Sequence, residues 1–289
     1  MTYQQIKNQT KFQPCTFYVH IKTWTAAMKL NLYQIDSFTD KIFSGNPACV
    51  VPLEHWLADD ILLQIAKENA VAETAYFIDK GDKIHLRWFT AEIEMDLCGH
   101  ATLAAAHCLK TILGHPSDSI TFETLSGDLI VTVDRDYYQL DFPARMPVTG
   151  TLPIELEKSL NIMPREVLKS RDYVLVYDTE TDVKNIKINR HFFDQLNLDP
   201  GGVIVTSVGD ECDFVSRYFT PQSSILEDPV TGSAHCSLIP FWASRLGKEK
   251  LSARQVSERG GKLSCVNKGS RVLISGQAKT YSVGHLWTE

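Results

Sequence analysis

Hydrophobic and polar residues alternate in short runs along much of the chain, which is typical of strands with one face in a core. In residues 83–89, for example, Ile84, Leu86 and Trp88 alternate with charged or polar neighbours. Apolar residues at helical spacing instead predict a helix from Asp59, whose side chain is a candidate N-cap. Further strands are predicted over residues 48–53, 74–78 and 137–142.

Two other helical segments are apolar on almost every face. Residues 100–113 carry little charge apart from Lys110, and residues 234–246 have a similar composition. A helix without a polar face is expected to be buried. We therefore predict an α+β fold in which antiparallel strands wrap around a central helix.

The two apolar helices belong to an internal repeat. Residues 87–90 read Arg-Trp-Phe-Thr and residues 217–220 read Arg-Tyr-Phe-Thr, and each copy leads through a turn to Gly99 or Gly232 at a helix start. This duplication predicts two similar domains with a ligand site in the cleft between them.

The repeat and the strand pattern suggest domain boundaries. We predict that residues 1–28 are an N-terminal extension or tag, that residues 29–146 form the first α+β domain and that residues 147–278 form the second. The C-terminal strand, residues 279–289, is a candidate to complete the first domain. The first 27 residues lack the apolar core of a signal peptide.

Composition narrows the classes of function. The chain has 289 residues, with 29 basic and 35 acidic side chains and no basic run, so neither a nucleic-acid nor a membrane partner is expected. Seven cysteines without a Cys-x-x-Cys pair fit a reducing cytoplasm better than a disulfide framework or a zinc ribbon. Phosphate-loop, dinucleotide and serine-hydrolase motifs are absent from the sequence. We predict no metal and no cofactor, and a small molecule as the binding partner.

Several polar residues near the helix starts are candidates for chemistry. Glu73 has small or apolar neighbours, and partial burial would raise its pKa toward the working pH, although a solvated glutamate is the common alternative. His100 either caps the first helix or faces a ligand. Asp228 either faces a ligand or satisfies turn amides. Thr231 and Ser233 suit capping as well as binding.

The glycines at the two helix starts leave backbone N–H groups accessible. Helix N-termini attract anions through these donors and the peptide dipoles, although tight turns would also explain Gly99 and Gly232. Two such ends at one interface predict a site for a carboxylate or an enolate.

Five motifs in a fixed order resemble the PhzF family of phenazine-biosynthesis-like isomerases, and the resemblance covers residues 29–289. The motifs are Asp-Ser-Phe-Thr with Phe-Ser-Gly-Asn-Pro-Ala in residues 36–48, Ala-Glu-Thr-Ala at 72–75, Arg-Trp-Phe-Thr at 87–90, Cys-Gly-His-Ala-Thr-Leu-Ala at 98–104 and Glu-Asp-Pro-Val-Thr-Gly-Ser-Ala-His at 227–235.

The resemblance implies a diaminopimelate-epimerase-like fold, with two pseudo-symmetric α+β domains and the active site between them. It further implies a homodimer and a cofactor-independent hydrogen shift on a small carboxylate-bearing substrate. Glu73 would shuttle the proton, and His100, Asp228 and Ser233 would position or protonate the substrate. Asn46, Gly99, Thr231 and Gly232 are expected to bind the substrate and to stabilise developing charge.

Two other functions remain open from the sequence. A two-base amino-acid epimerase of related fold would need a cysteine at each helix start. Cys98 supplies one, but no cysteine precedes Gly232, and Cys236 comes too late in the chain. The second alternative is a non-catalytic small-molecule binding protein that retains the fold.

Overall fold

A computed structural model describes residues 28–198 and 201–288. Strands and a smaller number of helices fill these residues, which confirms the α+β class. The strands are β1 (Met28–Ser37), β2 (Asn46–Pro52), β3 (Glu73–Asp79), β4 (Ile84–Phe89), β5 (Glu94–Met95), β6 (Ser119–Thr124), β7 (Gly127–Asp134), β8 (Tyr137–Pro143), β9 (Val148–Thr149), β10 (Glu166–Lys169), β11 (Tyr173–Val176), β12 (Val203–Val208), β13 (Phe214–Phe219), β14 (Glu227–Asp228), β15 (Lys250–Gln255), β16 (Gly261–Asn267) and β17 (Arg271–Thr288). The helices are α1 (Asp59–Asn69), α2 (Gly99–His107), α3 (Ile154–Ser159), α4 (Glu180–Asn185), α5 (Arg190–Phe193) and α6 (Gly232–Leu246).

The same order of strand pairing occurs twice. In the first half, the pairs β1–β2, β3–β4, β6–β7 and β7–β8 are antiparallel, and the pairs β2–β3 and β4–β6 are parallel. In the second half, the corresponding pairs β10–β11, β12–β13, β15–β16 and β16–β17 are antiparallel, and the pairs β11–β12 and β13–β15 are parallel. The predicted pseudo-symmetric, mostly antiparallel architecture is therefore confirmed.

Strand β17 joins the two halves, because it pairs with β8 and also with β1. Strand β8 runs antiparallel to β17, with Leu140 opposite Ile274. Strands β8 and β17 each end one of the two matching series of pairings, so equivalent strands of the two halves pair with each other.

The two apolar helices are buried, as predicted. All nine residues of α2 are buried, and so are the first twelve of α6. Apolar side chains from both helices belong to one continuous core. Among the described residues, none of the helices has the length and apolar character needed to cross a membrane.

Some local predictions were imprecise or wrong. The helix predicted over residues 100–113 begins at Gly99 and changes after His107 into a π-helical turn, Cys108–Ile112. Asp59 does not cap α1, because the helix begins at Asp59 itself and Ala58 is the N-cap residue. The Asp59 carboxylate instead pairs with Arg87 at 2.9 Å.

The domain boundaries stay a prediction. Residues 1–27, the bulk of the predicted extension, lie outside the described residues, and β1 begins at Met28. Residues 30–286 form one compact unit, which contains both halves of the repeat.

The two central helices begin side by side. A Cβ atom on Gly99 would lie 3.0 Å from the Cα of Gly232, and a Cβ atom on Gly232 would lie 3.1 Å from the Cα of Gly99. Such contacts are tighter than nine in ten real Cβ contacts, so the facing backbone would have to move by a few tenths of an ångström. The close approach of the helix ends therefore favours glycine at both positions.

We predict that Gly232→Ala destabilises the protein. In an unhindered helix this change stabilises by about 1 kcal/mol, whereas here overpacking against Gly99 should cost about 1–3 kcal/mol. Urea denaturation of the purified proteins measures the difference. Gly284→Ala is the matched control because a Cβ atom at Gly284 has no neighbour within 4 Å. Equal stability of Gly232→Ala and the wild type would contradict the packing argument.

Candidate active site

A cavity of about 530 Å³ lies where the two helix starts meet, and residues of both halves line it. Seven of the eight predicted site residues line this cavity, namely Glu73, Gly99, His100, Asp228, Thr231, Gly232 and Ser233. The eighth, Asn46, is fully buried and contacts the cavity residue Asp228.

A matching ion pair fixes the approach to each helix. Arg87 donates to both carboxylate oxygens of Glu94, at 2.7 and 2.6 Å. In the second half, Arg217 donates to both carboxylate oxygens of Glu227, at 2.7 and 2.8 Å. Bidentate pairs of this kind fix geometry as well as adding energy. The repeated arginine therefore holds β5 or β14, the short strand before each helix.

Glu73 is the first residue of β3, at the wall of the cavity. Its side chain is only 15% exposed. Burial, reinforced by the nearby carboxylates of Asp228 and Glu92, raises its pKa well above the ordinary glutamate value. A carboxyl group of this kind can hold a proton near neutral pH and return it.

His100 lies directly beside Glu73. Its Nε2 is 3.2 Å from Oε2 of Glu73, and the Ser37 hydroxyl donates to its backbone carbonyl at 2.8 Å. Burial lowers the pKa of His100 to about 3. The imidazole is therefore neutral at physiological pH and can donate one N–H.

Asp228 is the centre of a hydrogen-bond network in the second half. Asn46 Nδ2 donates to its Oδ1 at 2.6 Å, and the Thr231 hydroxyl donates to its Oδ2. Gln255, which is buried, donates from Nε2 to the Asp228 carbonyl at 2.7 Å and accepts from the Thr231 amide at 2.8 Å. Burial raises the pKa of Asp228 to about 6, although the bonds from Thr231 and Asn46 oppose the shift.

Both helix starts keep their amides available. Cys98 and Thr231 are the N-cap residues of α2 and α6, and neither side chain caps its helix. Of the two roles that suited Thr231, capping is therefore wrong. Ser233 is buried at the cavity wall. Positive partial charge from two helix dipoles thus faces one volume.

The register of the strands shows where the two halves differ. Phe89 and Phe219 are equivalent residues of the repeated motif, and they pair with Thr74 in β3 and with Val203 in β12. The residues that precede this pair of partners, Glu73 and Gly202, are therefore counterparts. By the same comparison, Met95, opposite Trp88, is the counterpart of Asp228, opposite Tyr218. Thr231 is the counterpart of Cys98, since each is the N-cap of its central helix.

Glu73, Cys98 and His100 are the group of described residues that could hold a metal ion. One ligand atom from each lies within 4.8 Å of the other two. Burial raises the pKa of the Cys98 thiol well above its ordinary value, so binding a metal would first require costly deprotonation. The donor set thus fits a metal poorly.

Sequence reasoning missed Gln255 and Arg171. Gln255 lies outside the motifs, and its role appears only when β15 places it beside Asp228. Arg171 lines the cavity from the turn between β10 and β11, a segment without a repeated motif.

Comparison with known proteins gives one family. The sequence profile described as "Phenazine biosynthesis-like protein" (PhzC-PhzF) matches residues 35–284. A Pseudomonas aeruginosa protein named as an uncharacterized isomerase is 46% identical over 259 residues, which are 90% of this chain and 99% of that protein. The crystal structure of a PhzF-family protein from Enterococcus faecalis superposes with a TM-score of 0.85 at 44% identity, covering 90% of this chain and all of that one.

A more distant structure shares the fold alone. A protein described as a "predicted epimerase" from Pseudomonas aeruginosa has a TM-score of 0.70 at 18% identity, and the match covers 90% of this chain. The epimerase-like fold implied by the sequence motifs is therefore confirmed.

We predict that Asp228→Asn changes how stability depends on pH. The folded-state pKa of about 6 lies above the ordinary value of 3.8, so the protonated group favours folding below about pH 4, and this contribution is lost as the pH rises through 6. Between pH 4 and pH 8, the free energy of unfolding of the wild type should fall relative to the variant by about 2–3 kcal/mol.

Urea denaturation at the two pH values tests this prediction. Asp82→Asn, at an exposed position, is the matched control and should follow the wild type. A difference between wild type and Asp228→Asn that stays constant with pH would show that Asp228 titrates alike in the folded and unfolded chains.

Proposed function

The chain belongs to the phenazine-biosynthesis-like (PhzC-PhzF) family, and from this premise we propose that it is an isomerase that moves a proton on a small carboxylate-bearing substrate. Glu73 is the single acid–base group of the proposal, and no cofactor takes part. The observation that carries it is the buried Glu73 carboxyl group at the cavity wall, 3.2 Å from a neutral His100. The isomerase names of the relatives support the same reaction class.

The first step removes a proton from a carbon next to an unsaturated or carbonyl-bearing carboxylate. The Glu73 carboxylate takes the proton as the C–H bond breaks, and the electron pair delocalises into the conjugated system. The Nε2 atom of His100 has no hydrogen-bond partner among the described residues, so it can donate to the substrate, and the neutrality of His100 prevents it from competing for the proton.

The second step returns the same proton to a different carbon. Glu73, now protonated, lies beside the delocalised anion, and a new C–H bond forms as the carboxylate is regenerated. Atoms and charge balance without a second base, because one carboxyl group serves both steps on one face of the substrate.

Two helix N-termini supply the electrostatic part of the mechanism. The starts of α2 and α6 face the cavity without side-chain caps, so their amides can bind the substrate carboxylate and the charge that develops during transfer. Asp228, with Asn46 and Thr231 bonded to its two oxygens, is held in position as a polar contact to the substrate.

The two alternatives make different demands on the site. A two-thiol epimerase needs a second cysteine opposite Cys98, and Thr231 stands at that position. A non-catalytic binding protein would bind carboxylates without exchanging their hydrogens, which the first experiment below distinguishes.

Assembly and location complete the proposal. We expect a homodimer, on the family resemblance, and a cytoplasmic protein. The six cysteines among the described residues are all free thiols, which supports a reducing compartment.

We predict that Glu73→Gln abolishes proton transfer but not binding. A set of small carboxylates in D₂O, followed by mass spectrometry, should show deuterium entering one carbon of a substrate with the wild type, and at least about 100-fold slower exchange with Glu73→Gln. Glu68→Gln, an exposed site five residues away, is the matched control and should exchange at the wild-type rate. Carboxylate binding without exchange by the wild type would favour the binding-protein alternative.

We predict that Cys98→Ala keeps most of the exchange activity. Cys98 is buried and its thiol has a raised pKa, so it contributes packing and no acid–base chemistry in this mechanism. The same deuterium assay measures the rate. Near-complete loss in a folded variant would revive either the thiol mechanism or a metal held by Glu73, Cys98 and His100.

A further inference from the structure

Arg171 brings a positive charge to the wall of the active-site cavity. It lies in the turn between β10 and β11, and its side chain is only 17% exposed. It is the only lysine or arginine among the described residues that line the cavity, where the charged neighbours are the carboxyl groups of Glu73, Glu92 and Asp228.

Part of the Arg171 guanidinium lacks a hydrogen-bond partner in the described part of the chain, although the Tyr218 side chain interacts with the group. Its Nε and Nη1 atoms are buried without one. The adjacent Asp172 carboxylate is 3.7 Å from Nε, which is too far for a hydrogen bond. Oδ1 of Asp172 already accepts from the Gly202 amide at 2.9 Å and from the Tyr218 hydroxyl at 3.0 Å.

Such an arrangement is costly unless a ligand completes it. Buried guanidinium groups are normally paired with carboxylates or phosphates, since removal from water must be offset by charge-assisted hydrogen bonds. Asp172 offsets part of the charge through space. The part of the Arg171 side chain that stays exposed lines the cavity, where a bound anion can pair with the guanidinium charge.

The internal symmetry places Arg171 beside the position that corresponds to Glu73. Tyr173 pairs with Val203 as Cys49 pairs with Thr74, so Asp172 and Gly202 occupy the places that Ala48 and Glu73 occupy in the first half. The first half therefore presents an acid to the cavity where the second half presents a glycine with a neighbouring cation.

We propose that Arg171 binds a second anionic group of the substrate, so that the substrate class is small acids with two anionic groups. One carboxylate lies at the paired helix N-termini beside Glu73, and the other lies against Arg171. This inference rests on the proposed function in taking the cavity as the substrate site. It makes Arg171 the residue that selects diacids over monoacids.

The test compares linear dicarboxylates of three to six carbons, malonate to adipate, with the monocarboxylates of equal length, propanoate to hexanoate. Isothermal titration calorimetry in a buffer without competing anions measures each dissociation constant. For the wild type, at least one diacid should bind about tenfold or more tightly than its monoacid partner. Arg171→Gln should reduce this preference to below about threefold, and Arg171→Lys should retain part of it.

Arg145→Gln is the matched control. Arg145 also has a buried, unpartnered Nη1 atom, but it is not among the residues that line the cavity, so its loss should leave the diacid preference unchanged. Thermal melting of each variant verifies folding, and Arg171→Lys keeps the test valid if the glutamine variant does not fold.

The outcomes separate this inference from the proposed function. Absence of a diacid preference in the wild type, or its survival in Arg171→Gln, overturns the role of Arg171 even where Glu73-dependent deuterium exchange is observed. A preference that depends on Arg171, together with no exchange of any carboxylate by the wild type, supports the diacid site while the proton-transfer mechanism fails. Glu73→Gln should keep the preference and lose the exchange.

Discussion

The backbones at Gly99 and Gly232 approach each other so closely that a side chain at either position would crowd the other. This contact brings the N-termini of α2 and α6 to one point, so the positive ends of two helix dipoles face the same cavity. Like ends repel, and the arrangement stores a cost that an anion between them would relieve. Under the proposed function, substrate affinity and core packing depend on the same two glycines.

Around this symmetric centre the side chains are not symmetric. The first half contributes Glu73 and His100, whose burial favours the uncharged form of each. In the second half Gly202 stands where Glu73 would be, and the Tyr218 hydroxyl oxygen lies 2.5 Å from where a Cβ atom would be placed. A carboxylate could not be restored at that position without moving the tyrosine. The fold is pseudo-twofold, whereas the proposed acid–base group lies in the first half alone.

The sequence predicted the two pseudo-symmetric halves well, because each motif occurs twice and the second copy supports the element predicted from the first. The apolar helices, the glycines and the family motifs led to eight site residues, of which seven line the cavity and the eighth, Asn46, contacts Asp228. The misses share a physical cause. Gln255 and Arg171 come close to the cavity only through strand pairing between distant segments, and local patterns carry no record of that pairing.

The pairing of Leu140 with Ile274 joins residues 134 positions apart, and it lies between the two equivalent halves. Contacts of such large sequence separation carry a high loop-closure entropy and form slowly. The two helix starts lie in opposite halves, so the cavity cannot exist in a chain that has folded only one of them. The complete cavity should therefore appear late in refolding, after most secondary structure has formed, and a truncated first half would contain Glu73 without the cavity that Glu73 lines.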